Sequence, residues 1–327
     1  MGRALLFTVM LALGAALSAS AWGSMPTRPE IAIVTNNTSL DPDTQTFARL
    51  AAGLEALGRD PGAIEWTRRS ANRDHDLLDR YAAEVVAMEP DVIIAGDTTA
   101  TRAVHAALQA SGAHVPVVFW SLDPIGAGVI DSYEEPGTDF TGSADAPDTQ
   151  RRQLELLAAI VPGIERVGML YNPTYAPAPG ALREFREAGA TLGIEVRPYE
   201  TLTTADFSTS IAAMKRGGMQ AMVVGPHSLF SVNGRQIGEL AQAHRLPAVS
   251  LVGSVLAGGG IAAFGPDFQQ IWFGQAALID AILRGQPPAS LAIRRPPAAL
   301  SLNLSAAEAL DLTIPEPIRH QARNVIE

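Results

Sequence analysis

The sequence predicts an α/β fold of two doubly wound lobes, each a parallel sheet covered by helices on both faces. Short runs such as Val92–Ala95 and residues 116–120 are continuously apolar, as expected for strands buried on both faces. A helical pattern from Asp97 to Gly112 separates them, so the stretch forms one βαβ unit with a right-handed crossover. The alternation begins again near Gly142, and 327 residues are enough for two lobes.

The other elements follow from the same patterns, with glycine or proline marking most helix ends. Strands are predicted at residues 31–34, 64–67, 167–171, 194–197, 221–224, 248–252, 261–264 and 300–304. Helices are predicted around residues 47–57, 77–88, 154–161, 182–192, 207–214, 237–241 and 268–283.

The first 21 residues have the pattern of a cleaved secretory signal peptide. Arg3 gives a positive start, residues 4–17 are apolar and uncharged, and Ala19-Ser20-Ala21 fits the small-x-small rule for cleavage. A transmembrane anchor is the alternative, but the run is short for a span. We expect a mature chain that begins near Trp22 and is located in a bacterial periplasm.

Composition narrows the function further. A formal net charge of −10 argues against nucleic acid or an anionic membrane as a partner. The sequence has no cysteine, which excludes disulfides, cysteine metal sites and a lipid-modified cysteine anchor. It also lacks the H-E-x-x-H, G-x-S-x-G, P-loop and G-x-G-x-x-G motifs. We expect a soluble monomer that uses no cofactor and is not an enzyme.

Eight short motifs, in order along nearly the whole expected mature chain, resemble those of bacterial ABC-transporter substrate-binding proteins of the tryptophan/tyrosine type. They lie at residues 91–101, 123–128, 136–142, 153–162, 170–173, 243–248, 259–267 and 309–315. The resemblance implies the type I periplasmic-binding-protein fold, with two lobes joined by three crossovers. By this resemblance, lobe one comprises residues 28–142 plus 264–290, and lobe two residues 143–263 plus 291–327.

The function implied is that of a receptor that binds a small polar, amino-acid-like or amine-bearing ligand between the lobes. Hinge closure would then present the ligand to the permease subunits of an ABC importer. Two alternatives stay open. The chain could instead supply ligand to a membrane sensor kinase, or it could be an exported small-molecule hydrolase, which would need a nucleophile and base that the sequence does not show.

Ligands of such sheets bind at the carboxyl ends of the strands, and these ends give the candidate site. The candidates are Asn36, Asp97, Thr98, Thr99, Trp120, Ser121, Asp123, Tyr171, Tyr175, His227, Ser228, Val252 and Asp267. Several have a purely structural alternative: Asp97 or Thr98 as a helix cap, Trp120 as a core residue, Asp123 as a turn former, Tyr171 as a packing residue and His227 as a loop residue.

Asp97 departs from the family pattern, which usually has glycine at this position. The helix N-terminal N–H groups and the Thr98 hydroxyl could hold a ligand carboxylate, but Asp97 would repel it. We expect the helix dipole to keep Asp97 ionised, so that it accepts a ligand amine while Trp120 or Tyr171 packs on the apolar part.

Overall fold

The computed structural model describes residues 28–37, 40–137 and 139–327, so the predicted signal peptide lies outside the described residues. The strands are β1 (Glu30–Thr35), β2 (Glu65–Ser70), β3 (Val92–Ala95), β4 (Val117–Ser121), β5 (Phe140–Ala144), β6 (Arg166–Tyr171), β7 (Glu195–Glu200), β8 (Ala221–Val224), β9 (Ala248–Ser250), β10 (Ala262–Gly265), β11 (Ala299–Asn303) and β12 (Asn324–Ile326). The α-helices are α1 (Gln45–Ala56), α2 (His75–Ala87), α3 (Thr98–Ser111), α4 (Thr149–Ile160), α5 (Ala178–Leu192), α6 (Asp206–Arg216), α7 (Ser228–Val232), α8 (Gly234–Ala243), α9 (Phe268–Leu283), α10 (Leu304–Glu308) and α11 (Glu316–Arg319).

The strands form two sheets, one in each lobe. The five-stranded sheet has the order β2-β1-β3-β4-β5, and every neighbouring pair in it is parallel. The seven-stranded sheet has the order β12-β11-β10-β9-β8-β6-β7 and is parallel except where β10 meets β11. The predicted fold class of two doubly wound α/β lobes is confirmed.

Each sheet is buried on both faces, which explains the continuous apolar runs. In β3, Ile93 packs into the core under α2 and α3, whereas its neighbour Ile94 packs into the opposite core under α1 and α9. Successive strand residues point to opposite faces, so a strand covered on both sides needs apolar residues at every position. Burying each such side chain contributes about 1.5–3 kcal/mol to folding.

The chain passes between the sheets slightly beyond the predicted boundaries after 142, 263 and 290. Strand β5 continues the first sheet to Ala144, and β10 stays in the second sheet to Gly265. Before the last crossing, Arg294 pairs with the edge of β5: its N–H donates to Gly142 O, and its carbonyl accepts from Ala144 N. The crossings therefore fall at residues 145–148, 266–267 and 295–298.

None of the helices in the described part of the chain is both long and apolar enough to cross a membrane.

Candidate functional site

The carboxyl ends of the two sheets face each other across a cavity of about 360 Å³. Strands β1, β3 and β4 lead into it from lobe one, and β8 and β9 do so from lobe two. Its walls consist mainly of aromatic and aliphatic side chains with polar groups at a few points. The candidates that line it are Asn36, Asp97, Thr99, Trp120, Tyr175, His227, Ser228 and Val252.

The remaining candidates lie outside this cavity. Ser121 is fully buried, and its hydroxyl faces the Thr98 hydroxyl. The Thr98 hydroxyl also accepts a hydrogen bond from Leu122 N. Asp267 caps α9 and pairs with Arg323. Asp123 lines a neighbouring cavity, and Tyr171 lines a separate groove with residues of α5. Tyr171 is thus not placed to pack on a ligand in the interlobe cavity.

Asp97 is the N-cap of α3, and donors from its own lobe surround its carboxylate. Ala100 N donates to Oδ1 at 2.9 Å, and Asn36 N donates to Oδ2 at 2.7 Å. Thr99 N and the Asn37 amide are further donors. Even so, burial raises the pKa of Asp97 above its usual value, because dehydration of the charge outweighs these donors. The sequence predicted that the helix terminus would keep Asp97 ionised. In the structure the helix terminus does not keep the pKa of this carboxyl low.

Trp120 forms an aromatic wall of the cavity from the end of β4. Its ring meets Phe268 edge-on at 5.0 Å, and only 6% of the residue is exposed. Its indole N–H has no hydrogen-bond partner among the described residues. An unpaired buried donor is costly, and in the described part of the chain nothing satisfies this N–H.

The part of the wall that α9 supplies was not predicted from the sequence. Phe268 and Trp272 lie four positions apart on one face of α9 and both line the cavity. The helical spacing of these aromatic residues was visible in the sequence. Their position over the strand ends depends on the crossing at residues 266–267, which the sequence placed too early.

Asn36 supplies an acceptor. It follows β1, is 5% exposed, and its side-chain Oδ1 has no partner in the described part of the chain. The backbone N–H of Asn36 donates to Asp97 Oδ2, and both residues line the cavity.

His227 lines the cavity with a neutral imidazole ring that can donate a hydrogen bond. Its Nδ1 accepts from Leu229 N at 2.9 Å, so the ring proton resides on Nε2. Burial, with a smaller contribution from the nearby His75 and Arg73, lowers the pKa of His227 to about 4. The imidazole is therefore uncharged at neutral pH.

Tyr175 connects the two lobes. An Asx turn at Asn172, whose Oδ1 accepts from Thr174 N, shapes the loop after β6 and brings the Tyr175 ring to 5.3 Å from His227. The Tyr175 hydroxyl faces the Thr98 side chain of lobe one, and burial raises the pKa of this phenol. This contact between lobes helps to enclose the cavity.

A second cavity of about 700 Å³ adjoins the first and is bordered by acidic groups from both lobes and the first crossing. Burial raises the pKa of Asp145, in that crossing, to about 6, and it also raises the pKa of Glu184 on α5. Arg295 lies 4.4 Å from the Tyr133 ring and donates through Nε to Asp145 O. Among the described residues, no group of three or more acidic or histidine side chains is arranged to hold a metal ion.

A family model described as ABC transporter substrate binding protein matches residues 31–326. The chain belongs to this family. In keeping with that assignment, its fold is of the type I periplasmic-binding-protein kind, and its family is one of substrate-binding proteins, not of enzymes.

Individual proteins similar to this substrate-binding protein have related descriptions. A tyrosine-binding protein of Clostridioides difficile is 21% identical over 250 residues, which is 76% of this chain and 70% of that protein. A conserved domain protein of Vibrio cholerae is 26% identical with a TM-score of 0.82, covering 91% of this chain and 99% of that one. An ABC domain of Streptococcus pneumonia, solved with L-Trp, is 20% identical with a TM-score of 0.79 and the same coverages.

Proposed function

We propose that this substrate-binding protein captures a small amine-bearing ligand, amino-acid-like in size, between its lobes and delivers it to the permease subunits of an ABC importer. The observation that carries the proposal is the interlobe cavity, with aromatic walls and a few buried polar groups. Its volume of about 360 Å³ is at the lower end of the range for small-molecule sites. The tyrosine- and tryptophan-related descriptions of its relatives agree with a ligand that has an apolar body.

Binding would work by closure and needs no bond to be made or broken. Trp120 and Asp97 belong to lobe one, whereas Tyr175 and His227 belong to lobe two, so a ligand between them makes its full set of contacts only when the lobes meet. A ligand that prefers the closed form shifts the population toward it. The closed lobes are then the form that a permease would recognise.

The proposed compartment is the periplasm, and the protein would act there as a soluble monomer. The proposal rests on the signal-peptide pattern of residues 1–21 and on the extracytoplasmic role of the family. With no cysteine in the sequence, a lipid-modified cysteine cannot anchor the chain.

A thermal-shift screen of the purified protein against amino acids, biogenic amines, purines and small carboxylates tests the proposal. At a hundredfold excess over Kd a ligand stabilises the protein by about 2.7 kcal/mol. The matched control is Val252→Trp, which fills the cavity from its lobe-two wall. Binding in this cavity would be contradicted if no compound raised the melting temperature. It would also be contradicted if a compound raised the melting temperatures of the wild type and Val252→Trp equally.

Uptake measurements then distinguish the importer from a sensor. Deletion of the gene should abolish accumulation of the radiolabelled hit in intact cells, and the wild-type gene should restore it. Unchanged uptake together with a lost transcriptional response to the same compound would favour the sensor kinase as partner.

A further inference from the structure

The N-terminus of α3 is already occupied by a carboxylate, that of Asp97. Free N–H groups at the start of a helix are a common binding place for an anionic ligand group. Here Ala100 N donates to Asp97 Oδ1, Thr99 N is also directed at this carboxylate, and Asn36 N donates to Oδ2. A ligand carboxylate would have to displace Asp97 from these donors and would be repelled by it.

The residues that line the cavity offer no positive charge to compensate a ligand carboxylate, and the nearby Arg73 lines a smaller adjoining cavity. Among the described residues that line the interlobe cavity there is neither a lysine nor an arginine. His227 is held neutral, with its Nδ1 committed to Leu229 N. Transfer of an anion from water into such a site is unfavourable, because hydrogen bonds from neutral donors replace its hydration only in part.

The same wall is well suited to a cation. Asn36 Oδ1 is an acceptor without a partner in the described part of the chain, and Asn36 lines the cavity together with Asp97, to which its backbone N–H donates. An ammonium group has three N–H donors and no acceptor, so it can use both oxygens. The aromatic rings of Trp120, Phe268 and Trp272 add favourable surface for a cation and for an apolar body.

We infer that the preferred ligand of this cavity is an amine that carries an aromatic or other apolar body and no carboxylate. Its ammonium group lies against Asp97 and Asn36, and a neutral oxygen on the body, where present, accepts from the Trp120 indole N–H. One positive charge on the ligand balances the charge of an ionised Asp97 and favours that form of the carboxyl, whereas a zwitterionic amino acid would leave the cavity with a net negative charge. The inference rests on the proposed function, since it names the ligand class of the same cavity.

Calorimetric titration with tyramine and tryptamine, each compared with tyrosine and tryptophan, tests the inference. Each pair shares its ring and its amino group, and the members differ only in the carboxylate. We expect the amine of a pair to bind at least tenfold more tightly than its amino acid. Equal or tighter binding of the amino acids would overturn the inference and leave the proposed function standing. Failure of every compound here and in the wider screen would overturn both.

Two substitutions of Asp97 separate its charge from its capping role. Asp97→Asn keeps an acceptor oxygen for the N–H groups of α3 but removes the charge, so amine affinity should fall about tenfold without a gain for amino acids. Asp97→Gly frees those N–H groups, so the preference should reverse in favour of the amino acids. A preference for amines that survives in both variants would overturn the role given to Asp97.

The matched control is Asp74→Gly. Asp74 caps α2 by accepting from Leu77 N at 2.9 Å and does not line the cavity. Its loss should lower stability in the way that any lost helix cap does, with the preference for amines unchanged. If Asp97→Gly folds poorly, the titrations of the wild type and of Asp97→Asn with amines and amino acids still test the role of Asp97.

Discussion

Trp120 and Trp66 both lie in lobe one, but their indole N–H groups have different surroundings. The Trp66 N–H donates to Pro61 O at 3.0 Å, so it is satisfied within the fold. The Trp120 N–H has no partner among the described residues, although the side chain is almost fully buried. The first N–H therefore contributes to folding, and the second stays unsatisfied until another group accepts from it.

Replacement of each tryptophan by phenylalanine should separate these roles. Trp120→Phe should weaken ligand binding by roughly threefold to tenfold, the loss expected for one hydrogen bond, without lowering the melting temperature. Trp66→Phe should lower the melting temperature and leave Kd unchanged. Calorimetric titration and thermal unfolding measure the two effects. A Trp120→Phe protein that is less stable but binds normally would make Trp120 a core residue only.

Asp145 provides a pH-dependent prediction. Its pKa is about 6 in the folded chain and 3.8 in an ordinary setting, so folding favours the protonated carboxyl. The folded state is therefore favoured below pH 3.8, and this advantage is lost as the pH rises through 6. At neutral pH the buried charge is a cost, so Asp145→Asn should stabilise the protein by roughly 1–3 kcal/mol.

Urea unfolding at pH 7.5 and pH 4 checks the expected sign, because the advantage of Asp145→Asn should shrink at the lower pH. Asp148→Asn is the control: this neighbouring aspartate is exposed and has a left-handed φ of 61°, which asparagine readily adopts. It should change stability little at pH 7.5. A stability gain for Asp145→Asn that is the same at both pH values would contradict the assigned pKa.

Residue roles were harder to predict from the sequence than residue positions. Asn36, Asp97 and His227 were expected at strand ends and line the cavity, because the carboxyl ends of parallel strands share an edge. The saturation of Asp97 by neighbouring N–H groups and the depressed pKa of His227 could not be predicted, because both depend on atoms from separate elements. Tyr171 was expected at the cavity as a strand-end residue, yet it lies against α5 outside it.

At the scale of elements, α9 joins lobe one through a close contact with α1. A Cβ on Gly53 would lie 2.5 Å from Phe273 O and 2.7 Å from Ala276 Cβ, so only glycine allows the helices to approach this far. The contact fixes α9, whose N-terminal residues Phe268 and Trp272 line the cavity. Close helix packing thereby positions one wall of the site.

Gly53→Ala should destabilise the protein, although alanine is the better helix former by about 1 kcal/mol. The clash with the backbone of α9 should cost roughly 1–3 kcal/mol, the usual cost of overpacking, and so outweigh this gain. Gly180→Ala in α5 is the matched control, since its nearest neighbour is an Arg183 atom at 3.8 Å, and it should gain stability. Urea unfolding compares them. A Gly53→Ala protein as stable as the wild type would show that α9 shifts freely.

Elements with a strong apolar period were predicted to within a few residues, and weakly patterned elements were missed. Strand β3 was predicted at its observed bounds because it is a continuous apolar run, and α9 because it has a long apolar face. Strand β5 was missed because Thr141, Gly142 and Ser143 interrupt its apolar run, and β12 because it is exposed. Because β5 was not predicted, the first crossing between the lobes was placed too early: β5 keeps the chain in the first sheet to Ala144.

For the whole molecule, side chains of the two lobes approach each other around the cavity, and the Tyr175 hydroxyl facing the Thr98 side chain is one such contact. Lobe one supplies Thr98 from the start of α3, and lobe two supplies Tyr175 from the loop after β6. A contact between groups of different lobes is made only when the lobes come together. It should therefore bias the equilibrium toward closure whether or not a ligand is bound.

Tyr175→Phe removes this hydroxyl and keeps the ring beside His227. Affinity for the best compound of the screen should fall by roughly threefold to tenfold, mostly through faster dissociation, because the hydroxyl contact with Thr98 favours the closed lobes. Small-angle scattering should show that ligand lowers the radius of gyration of the wild type, and that the ligand-free variant is at least as expanded as the ligand-free wild type. Tyr81→Phe, a change in the core under α2 away from the cleft, should alter neither Kd nor scattering. If ligand does not change the radius of gyration of the wild type, hinge closure is contradicted. If Tyr175→Phe has wild-type dissociation kinetics, the contact between Tyr175 and Thr98 plays no part in closure.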